Sequence, residues 1–553
     1  RLYWAQGAYA RAEPLYVRAL AIWEKALGPM HPDVATSLNN LAVLYRNQGA
    51  YAQAEPLLVR ALAIHEKALG PMHPDVALSL NNLATLYEEQ GAYARAEPIY
   101  VRALAIREKT LGAMHPEVAL SLNNLARLYW AQGAYARAEP LYVRALAIWE
   151  KALGPMHPNV ATSLNNLAML YQAQGAYARA EPLYARAAEV REANLRVEIA
   201  PLSESRKRDL MKLRYRETQQ LVSFHAHAVP TSARALDLAL TAVLRRKGRI
   251  LDSLSDNQAT LRAHLTPQLR AKLDELADAR RELSARLRVP YQPRTAPEQA
   301  AALAALRSRI DGLEAELNAA SVEYRVQSEP VTVAKVQAAL PPRAALVELV
   351  RYDRHDPRQP LKTWQEARYL AYLLPWQGPP RWIPLGDAAT VDARIDAVLA
   401  TMHKGASADA TRAALRHLDA VIWAPIRDRL AGVSHVILSP DGKLNLVPFE
   451  ALVDPQGHYA LKQWLFSYVT SGRDLLRLAA RPAPRAPATI VADPDYGPGP
   501  LFGRLTGVQA EAAEVAAHLP SARLLTGAQA TKAALAGVVG PAVLHVATHG
   551  FYA

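Results

Sequence analysis

Apolar positions in the first 194 residues alternate between two helical registers. From Asp33, the residues Leu38, Leu41, Ala42 and Tyr45 fall at i, i+3, i+4 and i+7, one face of an α-helix. After Gly49, a second helix carries Ala54, Leu58, Ala61 and Leu62 on its inner face. Pro56 lies near its start, where a missing amide is best tolerated. The run Gly70-Pro71-Met72-His73-Pro74 then ends the unit, because Gly caps a helix and Pro cannot continue one. The pattern recurs every 42 residues: at Gly7, Gly49, Gly91, Gly133 and Gly175; at Gly28, Gly70, Gly112 and Gly154; and at His31, His73, His115 and His157, each followed by Pro. Residues 1–32 and 127–158 are identical, a mark of recent duplication. Helix pairs of this size cannot bury their apolar faces alone, so the pattern predicts a stacked α-solenoid over residues 1–194.

From Leu195 the period stops. Leu269, Leu273, Leu276, Leu283 and Leu287, and then Leu303, Leu306, Ile310, Leu313 and Leu317, form two coiled-coil-like seams on either side of a proline-rich breaker at 289–297. They predict an antiparallel helical hairpin within a linker spanning 195–339. Past Leu340-Pro341-Pro342, short apolar runs at 345–350, 368–374, 433–438, 489–491 and 543–547 alternate with helical stretches at 391–402, 410–430, 509–519 and 531–538. That alternation predicts an α/β sheet covered on both faces over 340–553, with sites at the carboxyl ends of strands.

Composition changes this picture in two places. The net charge is +13, and the surplus concentrates in the middle: residues 1–194 carry 18 Lys/Arg and 16 Asp/Glu, residues 195–345 carry 25 and 17, and residues 346–553 carry 21 and 18. With no aromatic residues interleaved among the charges, the surplus reads as solvated Arg-rich helices rather than a nucleic-acid platform. The chain has no Cys, which excludes a disulfide scaffold, a thiolate metal site and a thiol nucleophile within these residues. No apolar run of membrane-spanning length occurs. Phosphate-loop, dinucleotide-loop and His-Glu-x-x-His patterns are missing, and the His-Pro histidines recur one per repeat, so no metal and no cofactor is expected.

The repeat, with its Leu-Asn-Asn-Leu-Ala, Gln-Gly-Ala-Tyr-Ala and Arg-Ala-Leu-Ala-Ile runs, resembles tetratricopeptide repeats of the kinesin-light-chain type. The resemblance implies a concave groove for a protein or peptide ligand. The recurring pairs Asn39/Asn40, Asn81/Asn82, Asn123/Asn124 and Asn165/Asn166 supply amides that can bond a ligand backbone or tie repeats together. Trp23, His65, Arg107, Trp149 and Arg191 share one repeat phase with different chemistry, which reads as an exposed position free to vary.

The motifs Val433–Gly442, Leu446–Leu452, Ser467–Ser471, Ile490–Pro494, Leu524–Lys532 and Leu544-His545-Val546-Ala547-Thr548-His549-Gly550 together resemble the CHAT domain, a caspase-like family often fused to such repeats. The resemblance implies a cysteine endopeptidase with His549 as general acid–base and Gly550 offering its amide to an oxyanion. It puts the nucleophilic Cys beyond residue 553, on a chain that starts and stops within its elements. His549 suits the role chemically, since an imidazole at a strand's carboxyl end titrates near neutrality. His545 is four residues back and reads as structural. The resemblance further implies a cytoplasmic, bacterial defence protein held inactive until its groove binds a protein or a ribonucleoprotein. The 269–317 hairpin reads first as a rigid spacer, with a dimer contact or a lever that relays groove binding to the loops around His549 as the other roles open to it. The alternative is a repeat scaffold whose CHAT domain has no chemistry.

Overall fold

The structure is a computed structural model that describes residues 9–199, 202–249, 267–287, 296–322, 331–359, 363–403, 407–479, 487–494, 507–519, 521–538 and 544–547. Contacts divide the chain into two compact units, Arg1–Leu475 and Leu476–Ala553.

The first unit opens with helices α1 (Tyr9–Leu27), α2 (Pro32–Asn47), α3 (Tyr51–Leu69), α4 (Pro74–Glu89), α5 (Tyr93–Leu111), α6 (Pro116–Ala131), α7 (Tyr135–Leu153), α8 (Pro158–Ala173) and α9 (Tyr177–Ile199). The even-numbered helices start alike. His31, His73, His115 and His157 are N-caps whose Nδ1 accepts the amide two residues on, at 3.1–3.2 Å, and the proline at the next position has no amide to satisfy. These histidines are caps. Each of these helices then runs into Gly49, Gly91, Gly133 or Gly175 at φ 73–75°, the left-handed turn that lets Ala50 N donate back to Tyr45 O at 2.9 Å in the first instance.

A clasp recurs between repeats. Tyr87 donates to Glu55 of the preceding repeat at 3.0 Å, while Arg95 bonds the same carboxylate and lies 3.8 Å from the centre of the Tyr87 ring. Tyr129, Glu97 and Arg137 repeat this arrangement, as do Tyr171, Glu139 and Arg179. In the earlier unit Gln53 replaces the arginine, and Tyr45 bonds Glu13.

The variable phase read as exposed is mostly not. Trp23 is exposed, but His65, Arg107 and Trp149 are at most 3% exposed. The following repeat covers the position and offers a serine hydroxyl there: His65 Nδ1 lies 2.9 Å from Ser79 Oγ, and Arg107 donates to Ser121 Oγ at 2.8 Å and pairs with Glu117. A hydroxyl can donate or accept, so different side chains are tolerated in a buried place.

The middle of the chain covers a sheet as well as linking domains. Helix α10 (Glu204–Ser223) passes through a π-helical turn, Phe224–Ala228, into α11 (Ala233–Arg246). Phe224 packs 4.9 Å from Tyr184 in the repeat core. Helices α12 (Pro267–Leu287) and α13 (Ala296–Val322) form the hairpin, with Leu276, Ala279, Ile310, Leu313 and Leu317 at its seam. At the start of α10, Glu204 N donates to Glu314 and Ser205 Oγ donates to Asp311 of the hairpin. After the short α14 (Val333–Ala338) comes a five-stranded sheet built from β1 (Ala344–His355), β2 (Trp364–Pro375), β3 (Arg381–Asp387), β4 (His435–Ser439) and β5 (Leu465–Tyr468), in the order β3-β2-β1-β4-β5. β1, β2 and β3 are antiparallel neighbours, while β1, β4 and β5 run parallel. Helices α15 (Ala388–His403), α16 (Ala408–Ile422) and α17 (Ala424–Arg427) bury Ala345, Val347 and Leu349 on one face, around the fully buried Trp423. On the other face α10 lies along β1, with Tyr215 donating to Arg351 O at 2.7 Å and Ser223 exchanging hydrogen bonds with the His355 backbone.

Part of the basic surplus is solvated as expected, with Arg208, Arg234, Arg281 and Arg286 exposed, but a cluster at the end of α11 is not. Arg246, Lys247 and Arg249 are largely buried against Glu192, Glu217 and Glu348. Burial pushes the Arg246 and Arg191 guanidiniums below their ordinary values.

Helix α18 (Asp474–Ala479) spans the division between the units. The second unit holds β6 (Thr489–Pro494), α19 (Val508–His518), β7 (Arg523–Gly527), α20 (Lys532–Ala536) and β8 (Leu544–Ala547), with the strands all parallel in the order β7-β6-β8. Ile490 and Ala492 pack under α19, and Val491 and Leu525 pack on the opposite face beside Ala530.

Three histidines lie between α10 and β1–β2. His225 meets the Tyr372 hydroxyl at 3.1 Å, His227 meets that of Tyr352 at 2.9 Å, and His355 stacks on Trp364. Burial lowers each to about 4, aided at His227 by Arg354 and Arg368 and opposed at His355 by Asp356. An unfolded histidine binds its proton near pH 6.5, whereas these bind only near 4, so their contribution is intact above 6.5 and is lost as pH falls from 6.5 toward 4. His225 and His355, which are buried, each contribute a slope of up to about 1.4 kcal/mol per pH unit in that window, and the exposed His227 contributes less through solvent screening. Urea unfolding of the first unit is therefore expected to weaken steeply between pH 6.5 and 4.5; a flat profile would contradict the assignment.

Candidate functional sites

The carboxyl edge of the second sheet is where an α/β site forms. The register pairs Ala492 of β6 with Ala547 of β8, so the two strands run in parallel toward one edge, and the residues past Ala492 on β6 lie at that edge. Asp493 is the first of them on β6. It is buried, sits at φ 48°, and accepts from Gln509 Nε2 of α19 at 2.8 Å. Aspartate tolerates this left-handed region better than most residues, yet a non-glycine held there is strained, and such strain clusters at functional sites. In sequence Asp493 belongs to the Ile490–Pro494 motif, which by itself gives it no role. His549 and Gly550 lie outside the described residues, two and three positions past Ala547. His545 pairs with Glu511 of α19 at 3.1 Å, away from the edge.

The Ser439-Pro440-Asp441-Gly442 run after β4 serves the fold. Asp441 accepts the Arg351 amide at 2.9 Å and caps the turn through Gly442 N. A Cβ at Gly442 would lie 2.6 Å from the Tyr369 hydroxyl, and its φ is 57°.

In the repeats, successive even-numbered helices (α2, α4, α6, α8) touch one another more closely than the odd-numbered ones do, which places them on the inner side of the superhelix. The two asparagines of each pair differ. Asn39, Asn81, Asn123 and Asn165 are buried, and the second asparagine of the next repeat donates to the first: Asn82 to Asn39 at 3.3 Å, Asn124 to Asn81 at 3.4 Å and Asn166 to Asn123 at 2.9 Å. Asn40 is exposed, and Asn82, Asn124 and Asn166 are half-buried.

Three, six and seven residues beyond each second asparagine, positions that adjoin one another on the helix surface, the repeats stop being alike. One row reads Val43, Thr85, Arg127, Met169, and its neighbours read Arg46, Glu88, Trp130, Gln172 and Asn47, Glu89, Ala131, Ala173. Arg127 and Glu88 form a two-pronged pair at 2.8 and 2.9 Å, Tyr100 donates to Glu88 at 2.8 Å, and Arg46 pairs with Glu89. The ion pair with Glu88 raises Arg127 against the effect of its burial. Divergence among near-identical repeats was the sequence signal for this surface, and it went unread.

Comparisons with known proteins agree with both halves of the chain. The tetratricopeptide repeat family matches residues 1–67, 35–109, 75–148 and 117–193, and the CHAT domain matches residues 412–553. The chain is a tetratricopeptide-repeat protein with a CHAT domain. Similar solved structures include BtubC (BKLC) from P. vanneervenii, 31% identical over 35% of this chain and 76% of that one, at a TM-score of 0.32. A kinesin light chain of Podosopora anserina with nearly identical TPR-like repeats is 32% identical over 35% of this chain and 93% of that one, at 0.31. A Rap protein complexed with competence and sporulation factor is 17% identical over 59% of this chain and 74% of that one, at 0.34. No curated protein matches the chain. No described helix is long and apolar enough to cross a membrane, and among the described residues no cluster of three or more His, Asp or Glu is placed to hold a metal ion.

The ladder gives a test that separates support from recognition. Asn81 is buried and donates to Ala77 O at 2.8 Å, so Asn81→Ala is expected to cost about 1–3 kcal/mol of stability. The exposed Asn40→Ala should cost less than about 0.5 kcal/mol. Equal costs in thermal or urea unfolding would contradict the ladder.

Proposed function

We propose that this protein is a caspase-like cysteine endopeptidase that is directed or switched by a protein or peptide bound in its repeat groove. The observation that carries the reading is the CHAT match over 412–553 on a parallel sheet. The CHAT family is related to caspase-type proteases, and the histidine motif follows the last described strand of that sheet. The chemistry requires a cysteine that these 553 residues do not contain, in sequence beyond residue 553. Its thiolate attacks the scissile carbonyl carbon and forms a C–S bond, and the resulting oxyanion takes a hydrogen bond from Gly550 N. The C–N bond then breaks as the His549 imidazolium passes its proton to the leaving amine. Water, deprotonated by His549, hydrolyses the thioester and restores the thiol.

In the groove, the constant asparagine row suits a ligand backbone and the divergent rows suit its side chains, the charged half around Arg46, Glu88 and Arg127 differing from the apolar half around Trp130 and Met169. The activator is a protein segment or a ribonucleoprotein that presents one.

In a protein that carries the cysteine, His549→Ala is expected to lower peptide-bond cleavage at least about 100-fold. Undiminished cleavage would overturn the assignment. Absence of cleavage in the parent protein with its groove ligand bound would favour a scaffold instead. Trp130→Ala and Arg127→Ala should each weaken ligand binding by about tenfold or more, as read by titration calorimetry, with no loss of helicity.

A further inference from the structure

The most completely buried charge on the first sheet is Glu348, in the middle of β1 and 0% exposed. Its neighbours come from two distant stretches of chain. Lys247, just past α11, lies 3.1 Å from Glu348 Oε2, and its ammonium also donates to Leu349 O at 3.1 Å, Ser439 O at 2.7 Å and Ser439 Oγ at 2.6 Å. Glu348 Oε1 accepts from Gly472 N and, at 3.3 Å, from Ser471 Oγ. The packing is tight: a Cβ at Gly472 would fall 2.2 Å from Leu346 and 3.0 Å from Leu244 of α11. Asp474 closes the segment by accepting the Thr470 and Ser471 amides. Two residues later the chain passes into the second unit.

The two residues before Lys247 face the other way. Arg246 pairs with Glu192 of α9 at 2.9 Å and with Glu217 of α10 at 3.7 Å. Arg245 donates to Val331 O, and its own carbonyl accepts from Arg473 at 3.0 Å. Upstream, Arg191 of α9 donates to Asn165 Oδ1 at 3.3 Å and pairs with Glu217 at 3.5 Å. Asn165 belongs to the last asparagine pair, beside Asn166, which bonds Asn123. Polar contacts thus run from the asparagine ladder through Arg191 and Glu217 to Arg246, and its chain neighbour Lys247 carries them on to Glu348, in the middle of β1, and to Ser439, at the carboxyl end of β4.

We infer that Lys247 is a positioning residue, through which the state of the last repeat sets the order of Thr470–Asp474, the segment that leads into the candidate catalytic unit. The link to regulation rests on the endopeptidase reading; the latch itself does not. The assigned route runs through α11 rather than the 269–317 hairpin. A contiguous network shows that coupling has a path, and coupling itself has to be measured.

The test is residue-level hydrogen exchange on the 553-residue chain. Lys247→Met alone would strand a buried carboxylate and risks unfolding, so it is paired with Glu348→Gln, which removes both charges together. In the double variant the Ser471 and Gly472 amides are expected to exchange about tenfold faster or more, while those of α4–α8 keep their rates. Arg246→Met, which touches neither amide, is expected to accelerate the same two by severalfold. Arg60→Ala, which breaks an exposed ion pair with Glu24 far along the solenoid, should leave them unchanged. Unchanged exchange at Gly472 in the double variant would overturn the latch. Unchanged exchange in Arg246→Met would overturn the coupling. Uniform acceleration across the unit would reduce Lys247 to a stability role and overturn the inference. None of these readouts uses cleavage, so the endopeptidase reading can fail by the His549→Ala test while the latch stands.

Discussion

A carboxylate removed from water must find a cation and donors, and at the centre of the first sheet Glu348 finds Lys247, Ser471 and Gly472. The constraint reaches far. It ties Lys247, just past α11, to the middle of β1 and holds Ser471 and Gly472, after β5, against the same carboxylate. It joins the other polar contacts between helices and sheet, from Tyr215, Ser223, His225 and His227, as the one that carries a buried charge pair. The middle third of the chain is therefore half of the sheet's packing.

The solenoid solves a similar problem by repetition. Each repeat covers the buried face of its neighbour, and the polar groups caught there are matched: asparagine with asparagine, tyrosine with glutamate and arginine, and serine with whatever the variable phase supplies. Because these pairs recur every 42 residues, the inner surface can diverge between them, and its divergent residues make contacts of their own, such as Arg127 with Glu88. Near-identity elsewhere makes that divergence visible. Its concentration on one helical face is what ties the repeats to recognition.

Much of the fold was legible because its signals are local. Periodicity and the Gly and His-Pro punctuation marked the helix pairs, and the leucine seams marked the hairpin. Buried strands β1, β2 and β4 stood out as apolar runs. The weaker strands did not: β3 contains Pro384 and a register shift near Gly386, while β5 has only four residues, with Leu465 and Tyr468 exposed. The expectation of simple alternation also missed that β1–β2–β3 form an antiparallel meander. The variable phase was misjudged because divergence looks like exposure until the covering serine is known. The Lys247–Glu348 contact, 101 residues apart in sequence, leaves no local trace, and neither does the strained backbone of Asp493. Of the candidate catalytic residues, His549 and Gly550 were named from motif order, and the described edge ends just before them.

The most direct measurement of the central constraint is a double-mutant cycle on unfolding free energy with Lys247→Met and Glu348→Gln. Lys247→Met alone should cost about 3–5 kcal/mol, because it leaves the carboxylate buried without its cation. If the pair fastens the helical cap to the sheet, the double variant should be more stable than Lys247→Met, giving a coupling of roughly 1–3 kcal/mol. Strictly additive effects would mean that the two side chains are neighbours without dependence, and the account would fail.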